Sequence, residues 1–157
     1  MPLFVLIRHA KSDRPPGVQD VERPLAERGI SDARLLGRFL ATALPRPGRV
    51  VSSPARRARD TAALVAGEAG WDQEPDIETD LYYGGVSDLL DVLRPGPEPV
   101  VAFGHEPTWS AAVSSLIGGG RIQMVTAAAA AVEGAARPGG CDLRWMVSPA
   151  SLGGGSR

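Results

Sequence analysis

Apolar residues in this chain come in short unbroken runs that alternate with stretches of helical period. Leu3 to Ile7 is one such run, "RVVSS" carries a second, and Val100 to Phe103 within "PVVAFGH" is a third. Short apolar runs rich in β-branched residues read as buried strands. Between them, "LAERGISDARLLGRFLATAL" puts Ile30, Ala33, Leu36, Gly37, Leu40 and Leu44 at helical spacing. "SSPARRARDTAALVAGEAG" does the same with Ala58, Thr61, Ala62, Val65 and Ala69. Ser53 suits its N-cap and Pro54 its first helical position. "DIETDLYYGG" reads as a short strand ending in a turn, and "VSDLLDVLRPG" as a short helix stopped by Pro95. "EPTWSAAVSSLIGGG" spaces Trp109, Ala112, Val113, Leu116 and Ile117 helically and closes in glycines. Strand and helix therefore alternate over most of the length. That pattern predicts an α/β three-layer sandwich, with a mainly parallel central sheet flanked by helices.

Three stretches are less regular. Residues 11–24, "KSDRPPGVQDVERP", form a polar loop placed to lie over whatever the first strand delivers. "MVTAAAAAVEG" is open between a short helix and a small-residue hairpin: alanine favours helix, but the run is short and flanked by valines. A strand-like "DLRWMVS" follows it, and the glycine-rich end, 152–157, reads as a flexible tail.

The 157 residues suit one domain, expected over 1–151, and 43% hydrophobic residues supply a core. A net charge of −1 gives no global field to recruit nucleic acid or an anionic membrane. The single cysteine, Cys141, cannot form an internal disulfide or a cysteine-cluster metal site, and fits a reducing, cytoplasmic setting. No apolar run reaches membrane-spanning length, and Leu3 to Ile7 is too short for a signal-peptide core.

The chemistry lies where the strands stop. One ends in Arg8-His9, one in Ser52-Ser53 with Arg56 and Arg57 just beyond, one in Gly104-His105. The chain has two histidines, and both directly follow an apolar strand. If the three strands are parallel neighbours, their ends share one rim, where open α/β sheets place ligands. Arginine forks match phosphate oxygens, and a helix starting near Ser53-Pro54 adds backbone N–H donors. An imidazole in such a pocket can attack phosphorus and carry the phosphoryl group covalently.

Blander readings compete. A histidine after a strand is more often structural than catalytic, and Arg56, Arg57 and Arg59 could be a solvated helix face. Tyr82 and Tyr83 could be rim packing. Two isolated histidines make no compact metal motif, and Ser52-Ser53 lacks a nucleophile elbow. Two histidines at two strand ends, one beside an arginine, favour function.

"LIRHAKS", "SSPARRARDTA" and "AFGHEP", in that order, resemble the histidine phosphatase superfamily, and most closely its short phosphohistidine phosphatase branch. "ERPLAERGISDARLLGRFL" and "LRWMVSP" match the same branch. The resemblance implies a phosphoglycerate-mutase-like fold with no metal and no cofactor. It makes His9 the phosphoryl-accepting nucleophile and Arg8 its phosphate-binding neighbour. Its "SPxxRAxxT" pattern selects Arg57 over Arg56, and His105 becomes the second pocket histidine. Ser12 joins Arg8, Arg57 and His105 as a substrate-binding residue, and 124–133 becomes a strand. Two departures stand out. Ala10 replaces a frequent glycine. The segment matching "DLYYGG" offers Tyr82 and Tyr83 where larger relatives carry a glutamate acid, leaving Glu106 and Asp13 as candidate acids.

An alkoxide leaving group wants a proton from a positioned acid. Phosphohistidine does not, because its far ring nitrogen can already carry one. The expected function is thus a metal-independent phosphatase for phosphohistidine on a protein. A small-molecule phosphomonoesterase is the alternative; a phosphoryl carrier or a non-catalytic phosphate-binding module is a weaker one.

Overall fold

The computed structural model describes residues 1–154. All six strands join one sheet in the order β3-β2-β4-β1-β5-β6. They are β1 (Leu3–Arg8), β2 (Arg49–Ser52), β3 (Asp76–Ile77), β4 (Val100–Gly104), β5 (Ala129–Gly134) and β6 (Cys141–Val147). The helices are α1 (Glu27–Ala43), α2 (Arg56–Ala69), α3 (Asp80–Tyr83), α4 (Val86–Leu93) and α5 (Thr108–Leu116). β3, β2, β4 and β1 run parallel, while β5 and β6 pair antiparallel on the far side of β1. The expected mainly parallel α/β sandwich is the observed one.

The alternation of side chains along β1 sorts the core into two layers. Val5 and Ile7 pack with Ala33, Leu36 and Leu40 of α1 and Ala58, Ala62 and Val65 of α2. Phe4 and Leu6 face the other way, onto Leu89 and Leu93 of α4 and Trp109, Val113 and Leu116 of α5. A strand covered on both faces must be apolar at every position, which explains the unbroken run at the start of the chain. At Gly104 an added Cβ would lie 2.0 Å from the Trp109 ring, so glycine lets α5 close over the end of β4.

Four local expectations need correction. Ser53 does not cap α2: the helix begins at Arg56 with Ala55 as N-cap. Ser53 instead continues the β2–β4 pairing, its N–H donating to Phe103 O (3.0 Å), while its Oγ accepts from Ala55 N (3.1 Å). "DIETDLYYGG" is strand only at Asp76–Ile77; the tyrosines wind into α3, where Leu81 is buried in the core. The strand expected over 124–133 starts at Ala129, because Ala127 turns the chain with φ of +60°. Of the expected tail, 152–154 form a turn in which Leu152 packs on the α1–α2 side; 155–157 lie outside the described residues. Among the described residues no helix is long and apolar enough to cross a membrane.

Candidate active site

β2, β4 and β1 are adjacent and parallel, so the three polar strand ends do meet on one rim. A pocket of about 290 Å³ opens there, lined by Arg8, His9, Ser12, Arg57 and His105 together with Lys11, Arg14, Asp20, Arg23, Glu106 and Thr126. Five cations face two carboxylates, in a chain whose net charge is −1. That local imbalance makes the rim an anion site.

His9 leaves β1 with its backbone N–H on Gly104 O (2.9 Å) and its side chain buried. Its Nδ1 lies 2.8 Å from Ala10 O. A carbonyl only accepts, so Nδ1 carries the proton and Nε2 keeps the lone pair. Burial pushes the ring pKa down to about 3, and the nearby His105, Arg57 and Arg8 add to the shift. The imidazole is therefore neutral and nucleophilic at neutral pH. His105 follows β4 with its ring 5.2 Å from that of His9, centre to centre. Its Nε2 pairs with Ser53 Oγ (2.8 Å). Burial, then Arg57, lowers its pKa to about 4.

Arg57 is buried and Arg56 is exposed, so the helix turns the second arginine of the pair into the pocket. Arg56 pairs with Asp60 (3.3 Å) on the outer face, and Arg59 donates to Pro54 O (2.9 Å). Arg57 donates through Nη1 to Asp20 O (2.7 Å) and through Nη2 to Asp20 Oδ2 (3.1 Å). Arg8 is held by Met124 O (3.0 Å), on the segment that leads into β5. Arg8 Nε, Arg57 Nε and His105 Nδ1 are buried without a partner among the described residues. Arg8 and Arg57 line the pocket beside His9, and arginine forks suit the oxygens of a phosphoryl group.

Thr61 shows why an arginine and a threonine four residues apart accompany the pocket. Its Oγ1 accepts from Ala10 N (3.0 Å) and donates to Arg57 O (2.6 Å), tying the residue after His9 to the first turn of α2. Ala127 works from the other side, donating its N–H to both Arg8 O (3.2 Å) and His9 O (3.1 Å). An alanine at positive φ costs about 1 kcal/mol, offset here by fixing the end of β1.

The two candidate acids fare differently. Glu106 lines the pocket, but its oxygens accept from Ser110 N (2.8 Å) and Ser110 Oγ, which locks it over the start of α5. Asp13 is exposed and does not line the pocket. Ser12 does, and accepts from Arg23 Nη2 (2.6 Å). Loop 11–24 closes at its base through Asp13 N to Pro24 O and Ala26 N to Lys11 O, both 2.9 Å. This closure carries Asp20 and Arg23 into the pocket, where pattern reading did not place them. Their only sequence signal was opposite charge at i,i+3 in a polar loop.

The model of the histidine phosphatase superfamily (branch 1) matches residues 4–82, half of the chain. The chain belongs to the histidine phosphatase superfamily. Two uncharacterized Mycobacterium tuberculosis proteins, MT1313 and Rv1276c, are each 39% identical over 109 residues. The match covers 67% of this chain and 66% of theirs, so the chain spans just under two thirds of those relatives' length. Among solved structures, the protein histidine phosphatase SixA in complex with tungstate superposes with a TM-score of 0.83 at 24% identity, covering 96% of this chain and 99% of that one. A SixA-named protein from Nakamurella multipartitia gives 0.80 at 26% identity, covering 94% and 96%. The phosphoglycerate-mutase-like architecture of this superfamily is thus the fold of this chain, in its short form.

Proposed function

We propose that the protein is a metal-independent phosphatase that removes phosphate from phosphohistidine through a covalent intermediate on His9. One observation carries the reading: a neutral imidazole, its proton held on Nδ1 by Ala10 O, sits among Arg8, Arg57 and His105. His9 Nε2 attacks phosphorus in line, forming a P–N bond as the substrate's P–N bond breaks. Arg8, Arg57 and His105 hold the oxygens on which charge develops. The leaving imidazole departs with the bonding pair, and the proton on its far nitrogen makes it neutral. Water then attacks the phosphorylated His9. That ring leaves as neutral imidazole, having kept its Nδ1 proton, and the water's proton goes to the phosphate product.

The substrate class follows from the acids. Among the described residues, Glu106 is locked on Ser110, Asp13 lies outside the pocket, and Asp20 is held as a carboxylate by Tyr82, Arg23 and Arg57, which supports a substrate that needs no proton donor. A phosphoramidate needs none. The SixA neighbour, a protein histidine phosphatase, supports the same reading, and an open rim suits a phosphohistidine displayed on a protein.

The test compares initial rates on a phosphohistidine peptide and an alkyl phosphate, in the presence of chelator, with wild type and His9→Ala. Fast phosphoramidate cleavage, a slow ester, and at least about a 1000-fold loss in His9→Ala are expected. Retained activity in His9→Ala ends the mechanism. Fast ester cleavage transfers the substrate to small phosphomonoesters.

A further inference from the structure

An anion pocket that keeps a carboxylate in its wall calls for an explanation. Asp20 repels a phosphoryl group, yet three side chains hold it there. Oδ2 accepts from Arg57 Nη2 (3.1 Å) and Tyr82 OH (2.6 Å), and Oδ1 accepts from Arg23 Nη1 (3.0 Å). Each carboxylate oxygen can accept two hydrogen bonds, so Oδ1 has one acceptor position unspent. The side chain is 50% exposed and lines the pocket. The Tyr82 hydroxyl first, then Arg23 and Arg57, keep Asp20 well below the usual carboxylate range. It is a permanent acceptor and not a proton donor.

Its surroundings are aromatic. The Tyr82 ring stands edge-on to His105, centroids 5.6 Å apart, and edge-on to Tyr83 at 4.8 Å. Tyr83 is largely exposed. A carboxylate beside tyrosine rings at the mouth of a cationic pocket fits a flat, cationic, N–H-bearing group. An alkyl phosphate has no such group. Phosphohistidine protonated on its far ring nitrogen has both halves, a phosphoryl anion and an imidazolium.

We propose that Asp20 is the leaving-group residue: its carboxylate accepts the N–H of the substrate imidazole's far nitrogen, beside Tyr82, while Arg8, Arg57 and His105 hold the phosphoryl. This rests on the phosphohistidine reading above and adds the source of its selectivity. No proton moves to Asp20. The P–N bond breaks, its electron pair goes to the ring, and the ring leaves neutral with the N–H still directed at Asp20. Keeping that proton in place makes the leaving group good without an acid, which is the task a carboxylate of low pKa can perform.

The test uses the full chain and two probes whose leaving groups need no proton delivered: phosphoimidazole and 4-nitrophenyl phosphate. Only the first offers a ring N–H. The quantity read is the ratio of their kcat/KM values in wild type and Asp20→Asn. The ratio should fall about tenfold or more in the variant, the size of a lost charge-assisted hydrogen bond. Equal losses on both probes, complete losses included, or a ratio unchanged within about twofold, assign Asp20 to scaffolding of Arg57 and overturn the inference. Wild-type protein that does not turn over phosphoimidazole removes the phosphohistidine reading and this inference with it. Wild-type turnover with an unmoved ratio in Asp20→Asn removes the inference alone.

Discussion

The two halves of the sheet do different work. In the parallel half, β2, β4 and β1 run in one direction, and each passes the chain to polar residues at the same rim. In the antiparallel half, β5 turns back into β6, and its first four residues, Ala129 to Val132, are small or β-branched and fully buried. The outer strand, β6, exposes Asp142 and Arg144, charges that discourage edge-to-edge pairing. Parallel strands need crossovers, and the loops that start those crossovers gather at one edge, so chemistry accumulates there. A hairpin has no such edge. The segment leading into it contributes backbone: Met124 O holds Arg8, and Ala127 N holds the end of β1.

The sharpest way to break this comparison is inside the parallel half, between neighbouring arginines. Arg57→Ala should lower turnover at least about 100-fold, the size of a lost transition-state donor. Arg56→Ala, which loses only an exposed pair with Asp60, should change it by less than about threefold. Steady-state kinetics on one phosphoramidate decides it. Equal losses would mean that the pocket does not read the buried face of α2.

Acid should act through the same half. The chain's two histidines both lie at the rim, with pKa values of about 3 and about 4 against 6.5 for the ordinary side chain. Below pH 6.5 the unfolded chain takes up protons that the folded one refuses. Stability attributable to the pair is complete above about pH 6.5 and is lost as pH falls through 4 towards 3. Urea midpoints should thus drop between pH 7.5 and pH 5, and replacing both histidines with asparagine should flatten that slope. For the same reason the acid limb of kcat/KM should not fall near pH 6.5 on account of His9; a limb there that follows the His9 ring would contradict its burial.

Legibility in the sequence divides along similar lines. Leu3–Arg8, Val100–Gly104 and the long helices were readable because one face or both are buried and the period survives in the residues. Arg8, His9 and His105 were readable because they interrupt apolar runs. Arg57 needed a motif, since periodicity alone does not say which of two adjacent arginines a helix buries. Asp20 and Arg23 were not readable: a loop closed by backbone bonds at Lys11 and Asp13 brings them to the rim, and nothing local records that path. Tyr82 was visible only as rim packing, because its bond to Asp20 spans 62 residues. β5 was ambiguous for a related reason. Alanine's helix preference is a fraction of a kcal/mol per residue, and pairing with β1 and β6 overrides it.

That override gives the smallest test, and it belongs to the antiparallel half. Ala131 is fully buried, pairs with Val5 on β1, and faces the α1–α2 layer. A strand between two helical layers keeps small side chains where the layers approach closely, so added volume must displace its neighbours. Ala131→Leu should destabilise by about 1–3 kcal/mol through overpacking. The folded fraction should keep wild-type kcat, because the rim is built from the other strands and from the backbone of 124–127. Urea denaturation and active-site-normalised kinetics on the same preparation measure both quantities. A loss of kcat at full folding would show that side-chain packing in β5 also sets the position of Arg8 and His9, and the division between the two halves would then fail.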